Sequence, residues 1–149
     1  MVVLGINLDK NGFSYTVLSG VKNNPQLITS DHTTNSHSGN TQQLVNWYET
    51  TFENLITQYS PNTISLKVSL NAKKAEIAPW YYPLGILHNM AFRKGIQVNE
   101  FVSQNFTASK FGLAKGTDIY TYIDQIFGIQ TPKWSKNQKY SVLAAWMTL

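Results

Sequence analysis

The stretch "VVLGINLDKNGFSYTVL", Val2 to Leu18, restricts the fold more than any other part of the chain. Val2, Val3, Leu4 and Ile6 form a short apolar run, the pattern of a strand covered on both faces. Asp9-Lys10-Asn11-Gly12 supplies turn chemistry, because Asn and Gly tolerate positive φ. Phe13, Tyr15 and Val17 then alternate with Ser14, Thr16 and Leu18 in a second strand. A hairpin of this kind belongs to a sheet that helices must cover.

The rest of the chain supplies them. A third strand is expected near Gln26–Thr29, and the polar, aperiodic "SDHTTNSHSGN", residues 30–40, reads as a loop. Asn40 or Thr41 can cap a helix with Leu44, Tyr48, Phe52, Leu55 and Tyr59 on one face. "TISLKVSL" alternates as a fourth strand, with Ile64, Leu66, Val68 and Leu70 to one side. A helical stretch from about Glu76 to Lys94 follows, stopped by Gly95, and Pro79 and Pro83 should confine its regular part to the later turns. "IQVNEFV" is a fifth strand, and short helices are expected near Gln104–Phe111, Thr117–Phe127 and Lys136–Met147. The order β-β-β-α-β-α-β-α-α-α predicts one α/β domain over residues 1–149. Its mixed five-stranded sheet joins an antiparallel meander to parallel strands, with helices on both faces.

Composition narrows the class. The chain has 149 residues, is 42% hydrophobic and carries four Trp, eight Tyr and seven Phe, so it has the material for one core. No apolar stretch reaches the ~20 residues of a membrane helix, and no leader pattern opens the sequence. A cytoplasmic protein with no membrane partner is the expectation. With no cysteine there is neither a disulfide framework nor a thiolate metal site. Twelve basic and eight acidic residues give +4, which permits attraction to nucleic acid without establishing it.

Few constellations point to chemistry. Asp31, His32 and His37 lie close together, but their spacing fits no familiar zinc pattern. His88 sits mid-helix and reads as a core or interface histidine. No Gly-x-Ser-x-Gly elbow and no Gly-Lys-Ser/Thr phosphate loop is present. Asp9 reads as a turn residue bonding its own backbone, and Glu49 and Glu53 as a solvated helix face. No metal and no cofactor is expected.

The element order resembles the ribonuclease H-like fold, and within it the RuvC-type Holliday-junction resolvases. The likeness rests on "VLGINLDKNGFSYTVL", "ISLKVSLNAKKAE", "GILHNMAFRKGIQVNEFVSQNFTASKFG" and the closing "NQKYSVLAAWM". The resemblance implies two magnesium ions held by four carboxylates for phosphodiester cleavage. Carried over, the first-strand acid falls on Asn7, the fourth-strand acid on Lys67 and the last-helix pair on Asn137 and Tyr140. None is a carboxylate. An ammonium at ~4 Å repels a divalent ion by roughly 8 kcal/mol at an effective dielectric of ~20.

The expectation is therefore a RuvC-like domain without catalytic residues that works by binding. Nucleic acid would contact a former active-site face through Lys67, Lys73, Lys74, Lys110 and Lys115. The alternative is an interaction or inhibitor protein, a homodimer or partner binder whose contact helix carries Trp80, Tyr81, Tyr82, Leu84, Leu87 and Phe92. A third reading is a metal-dependent nuclease with relocated acids.

Overall fold

A computed structural model describes residues 1–37, 39–74 and 77–149. Strands β1 (Val2–Asp9) and β2 (Gly12–Val21) form the expected hairpin, with Asp9 opposite Gly12. Asp9 Oδ1 accepts the Asn11 backbone N–H at 2.7 Å and closes the turn. β3 (Asn24–Thr34) continues the meander on the far side of β2. β4 (Thr63–Lys67) and β5 (Gln97–Phe101) add to β1 in parallel, giving the order β3-β2-β1-β4-β5. The mixed five-stranded sheet is as expected, and among the described residues no helix is long and apolar enough to cross a membrane.

Helix α1 (Thr41–Tyr59) starts at Asn40, whose side chain accepts the Gln43 N–H, and ends on Ser60 in the left-handed region. With α2 (Ile77–Lys94) it covers one face, where Leu4, Ile6, Leu8, Phe13 and Val17 meet Tyr48, Phe52, Leu87 and Met90. Glu49 and Glu53 pair with Arg93 and Lys94 of α2 at the surface, contacts worth at most about 1 kcal/mol each. The other face carries α4 (Lys136–Thr148), over which α3 (Ile119–Phe127) folds through an ion pair of the buried Lys139 with Asp124 at 2.8 Å. Gly5 lets α4 approach, since a Cβ there would collide with the Ser141 carbonyl oxygen and lie 2.8 Å from the Ala145 nitrogen.

Four expectations need correction. Residues 30–34 are strand, not loop: this half of β3 is polar on both faces, so no hydrophobic period reveals it. β4 stops at Lys67, short of the expected Leu70. Helix α2 runs from Ile77 straight through Pro83; Pro79 lies in the first turn, where a missing N–H costs nothing. The expected helix over 104–111 is two 3₁₀ turns, Ser103–Asn105 and Ala108–Phe111. Asn105 Oδ1 takes the Val102 N–H, a local bond that competes with helix. The expected helix start at Glu76 lies outside the described residues.

Candidate functional site

The ladders set Lys67 beside Asn7, Asn7 beside Ser14 and Ser14 beside His32. Residues directly opposite in a ladder share a face, so these four form one row across β4, β1, β2 and β3, on the α4 side. The row lies at the carboxyl ends of the parallel strands β1 and β4. One step back, the polar groups are matched: Thr16 Oγ1 bonds Ser141 Oγ at 2.7 Å, and Ser65 Oγ bonds Thr148 Oγ1 at 2.7 Å. In the row they are not. Asn7 is 1% exposed, yet among the described residues neither its Oδ1 nor its Nδ2 has a partner, and the buried Ser14 hydroxyl has none either. Each such group carries a desolvation cost of about 1–3 kcal/mol.

Lys67 stands next to this pair. Its Nζ donates to Ser69 Oγ at 3.1 Å and sits 4.5 Å from the centre of the Tyr140 ring. Burial pushes its pKa below the ordinary lysine value; Tyr140 works against that shift, and the Lys136 ammonium adds to it. Lys136 lies 5.6 Å from the Tyr120 ring and 5.7 Å from the Tyr140 ring. Those two rings meet edge to face at 5.9 Å, and burial, then the Tyr140 hydrogen bond, raises the Tyr120 hydroxyl to about 12. Among the described residues neither Lys67 nor Lys136 forms an ion pair.

Magnesium does not fit here. Three of the four positions onto which the resemblance carries the expected carboxylates, Asn7, Lys67 and Tyr140, converge as a neutral amide, an ammonium and a phenol. Asn137 is exposed on the first turn of α4. The nearby Asp9 spends one carboxylate oxygen on its turn and the other on His32 Nε2, at 2.8 Å. Among the described residues no three His, Asp or Glu side chains cluster as a metal would need.

Of the other residues singled out above, Lys73 and Lys74 are exposed on the segment leaving β4. Lys110 precedes Phe111, which packs 4.7 Å from Trp146 and lies under Lys22, in the turn after β2. That turn adjoins the start of β1, about 17 Å of strand from the row. Lys110 is thus at the opposite edge from Lys67, and Lys115 is exposed in the turn that follows it. On α2, Leu87 is 1% exposed and belongs to the core, which corrects its expected place on a contact surface. Leu84 packs against the same core, and the Tyr81 hydroxyl donates to the Ser69 carbonyl, so both face inward. Trp80 lines a crevice beside Lys67. Tyr82 and Phe92 are exposed, as is His88, which pairs with Glu100 at 2.7 Å instead of entering the core. In the sequence His32 stands out only beside Asp31 and His37, and Ser14 and Lys136 do not stand out, because only strand register and the α4 crossing bring them to the row.

No protein-family model matches the sequence, and no curated protein matches it. Solved structures do. Thermus thermophilus RuvC in complex with a Holliday junction substrate superposes with a TM-score of 0.78 at 15% identity, over 99% of this chain and 91% of that one. The yeast mitochondrial Holliday junction resolvase gives 0.64 at 12% identity, over 97% of this chain and 77% of that one. The fowlpox virus Holliday junction resolvase gives 0.63 at 14% identity, with both chains covered completely. The chain has the fold of the Holliday junction resolvases. Identities this low tie it to the fold and leave its activity to be argued from its own residues.

Proposed function

We propose that this resolvase-fold chain binds nucleic acid at the carboxyl edge of β1 and β4 without cutting it. The observation that carries this reading is the Lys67 ammonium, which stands beside Asn7 and over Tyr140 with no carboxylate among the described residues paired to it. Lys67 and Lys136 would meet phosphate oxygens as fixed cations, and the Tyr120 and Tyr140 rings would hold both amines near one place. Proton transfer and in-line attack have no assigned group, because the acids that would hold the ions are replaced.

Fluorescence anisotropy with branched, single-stranded and duplex DNA and with RNA tests the binding. Affinity should fall steeply with salt, with a log–log slope of about −0.9 per phosphate contact on duplex. Incubation with Mg²⁺ or Mn²⁺ should leave every substrate intact. Metal-dependent cleavage that disappears in Asp9→Ala would show that relocated acids do the work. Restoring one acid should not restore a site: Asn7→Asp is expected to bind no stoichiometric Mg²⁺ in calorimetry, since Lys67 would claim the new carboxylate.

A second reading, self-association through α2, is favoured by Phe92, which is 85% exposed, and Tyr82, which is 46% exposed. Gly85 lies between them on the helix, and a Cβ there would meet nothing within 4 Å. Light scattering at tens of micromolar distinguishes dimer from monomer, and a monomeric mass removes this reading.

A further inference from the structure

Beyond the carboxyl ends of β4 and β5 lies a crevice of about 260 Å³. Its polar lining comes from Lys67, Ser69, Asn71, Ser103, Gln104 and the Trp80 indole. Open α/β sheets leave their ligand crevice at this end of the strands, so the position alone marks it as a place to look. The chemistry goes further. The Trp80 Nε1–H is buried and has no acceptor among the described residues. Lys67 contributes an ammonium from one side, and none of the described lining residues is acidic. Val68 and Val102 add an apolar wall. A cation, amide and hydroxyl groups, an indole and an apolar wall suit a ligand with an anionic end and a flat body.

Size limits that ligand. At about 260 Å³ the crevice lies just under the usual range of pockets for small organic ligands, ~300–1,000 Å³. It cannot admit a base pair. We propose that it takes a single nucleoside-phosphate unit, with the phosphate on Lys67 and the base or sugar against Trp80. The proposal rests on the nucleic-acid reading above and adds to it that one nucleotide leaves its stack to enter the protein. The unit has two sources: a free nucleoside monophosphate, or an unpaired nucleotide within a strand.

Indole N–H resonances of the four tryptophans distinguish them, with Trp80 assigned from Trp80→Phe. The intact protein is titrated with each nucleoside monophosphate, with inorganic phosphate, with a duplex bearing one unpaired nucleotide and with its fully paired counterpart. The Trp80 resonance should move saturably with a monophosphate or with the unpaired nucleotide, and far less with the paired duplex. Lys67→Met should weaken that response at least tenfold, and Lys67→Arg should keep most of it. An unmoved Trp80 resonance in every titration overturns the proposal, and anisotropy that still reports DNA binding then leaves the parent reading standing. An equal response to inorganic phosphate overturns the nucleoside part. A response to monophosphates without DNA binding keeps the crevice as a nucleotide site and removes the nucleic-acid reading.

Discussion

Leu4, Ile6 and Leu8 alternate along β1 with Val3, Gly5 and Asn7, and the two sets meet different helices. Towards α1 and α2 the buried Tyr48 hydroxyl is matched by the Gly12 carbonyl at 3.2 Å, and Phe13 touches Tyr15, Trp47, Tyr48 and Phe52 at ring distances of 5.1–6.1 Å. Towards α4 the same strands present Gly5, Thr16 and Ser65, all buried, and the helix answers with Ser141 and Thr148. The matching then stops at Asn7 and Ser14, which stay buried with no partner among the described residues. One face is built mainly by packing, with its buried hydroxyl matched. The other keeps polar groups that packing would discard, and keeps them where the parallel strands end. Unmet polarity at that edge is a better guide to function than burial or charge taken separately.

The contrast predicts unequal costs. Phe13→Ala, at the centre of the aromatic cluster, should lose about 3–5 kcal/mol by denaturant unfolding. A loss under about 1 kcal/mol would mean that the apolar face does not hold the fold. Gly5→Ala tests the α4 side, where the limit is approach and not hydrophobicity. The added Cβ collides with the Ser141 carbonyl, and backbone cannot step aside as a side chain can. A cost of about 3 kcal/mol or less, at the upper end of overpacking, is expected.

The two faces also differ in how far they could be read from the sequence. The β1–β2 turn, the Asn40 cap and the Tyr48–Phe52 stripe depend on neighbours a few residues apart, and the pattern shows them directly. Residues 30–34 do not, because their strand identity comes from pairing with β2 while their side chains are polar on both faces. Helix α2 runs through Pro83 because packing of Leu87, Met90 and Ala91 outweighs a local preference. At the site, Asn7, Lys67 and Tyr140 could be named through the likeness to resolvases. The pairing of His32 with Asp9 could not: the two are 23 residues apart, and only the register of β3 joins them. Lys136 was equally hidden, since α4 must cross the sheet before its first turn reaches Tyr120 and Tyr140.

If Asn7 is kept for the site and not for the fold, an isosteric apolar residue should improve stability. Leu has the same heavy-atom skeleton and leaves no donor or acceptor unmet. Asn7→Leu is expected to gain about 1 kcal/mol, the lower end of the cost of one buried unmatched group, read as a higher melting temperature. Equal or lower stability would mean that Asn7 is satisfied in solution, and the contrast between the faces would lose its sharpest point.

The smallest effect is also the most specific, because it has a sign in pH. Lys67 has a folded pKa below its ordinary value of 10.5, mainly through burial. Holding the charged form therefore costs stability while the amine is protonated in both states, which includes neutral pH. As pH rises through the folded value the native amine gives up its proton first. The unfolded state then binds more protons, and stability climbs until pH passes 10.5. Lys67→Met should accordingly stabilise the protein at about pH 7, and its advantage should shrink towards about pH 10. Tyr15, Tyr48 and Tyr120 oppose the climb only above 10.0, because their folded pKa values are raised and their protons are lost first from the unfolded chain. Melting curves of both proteins below that point isolate the lysine. A difference that stays constant with pH would place the Lys67 ammonium in water, and an amine in water could not be the half-buried cation that faces a phosphate beside Asn7.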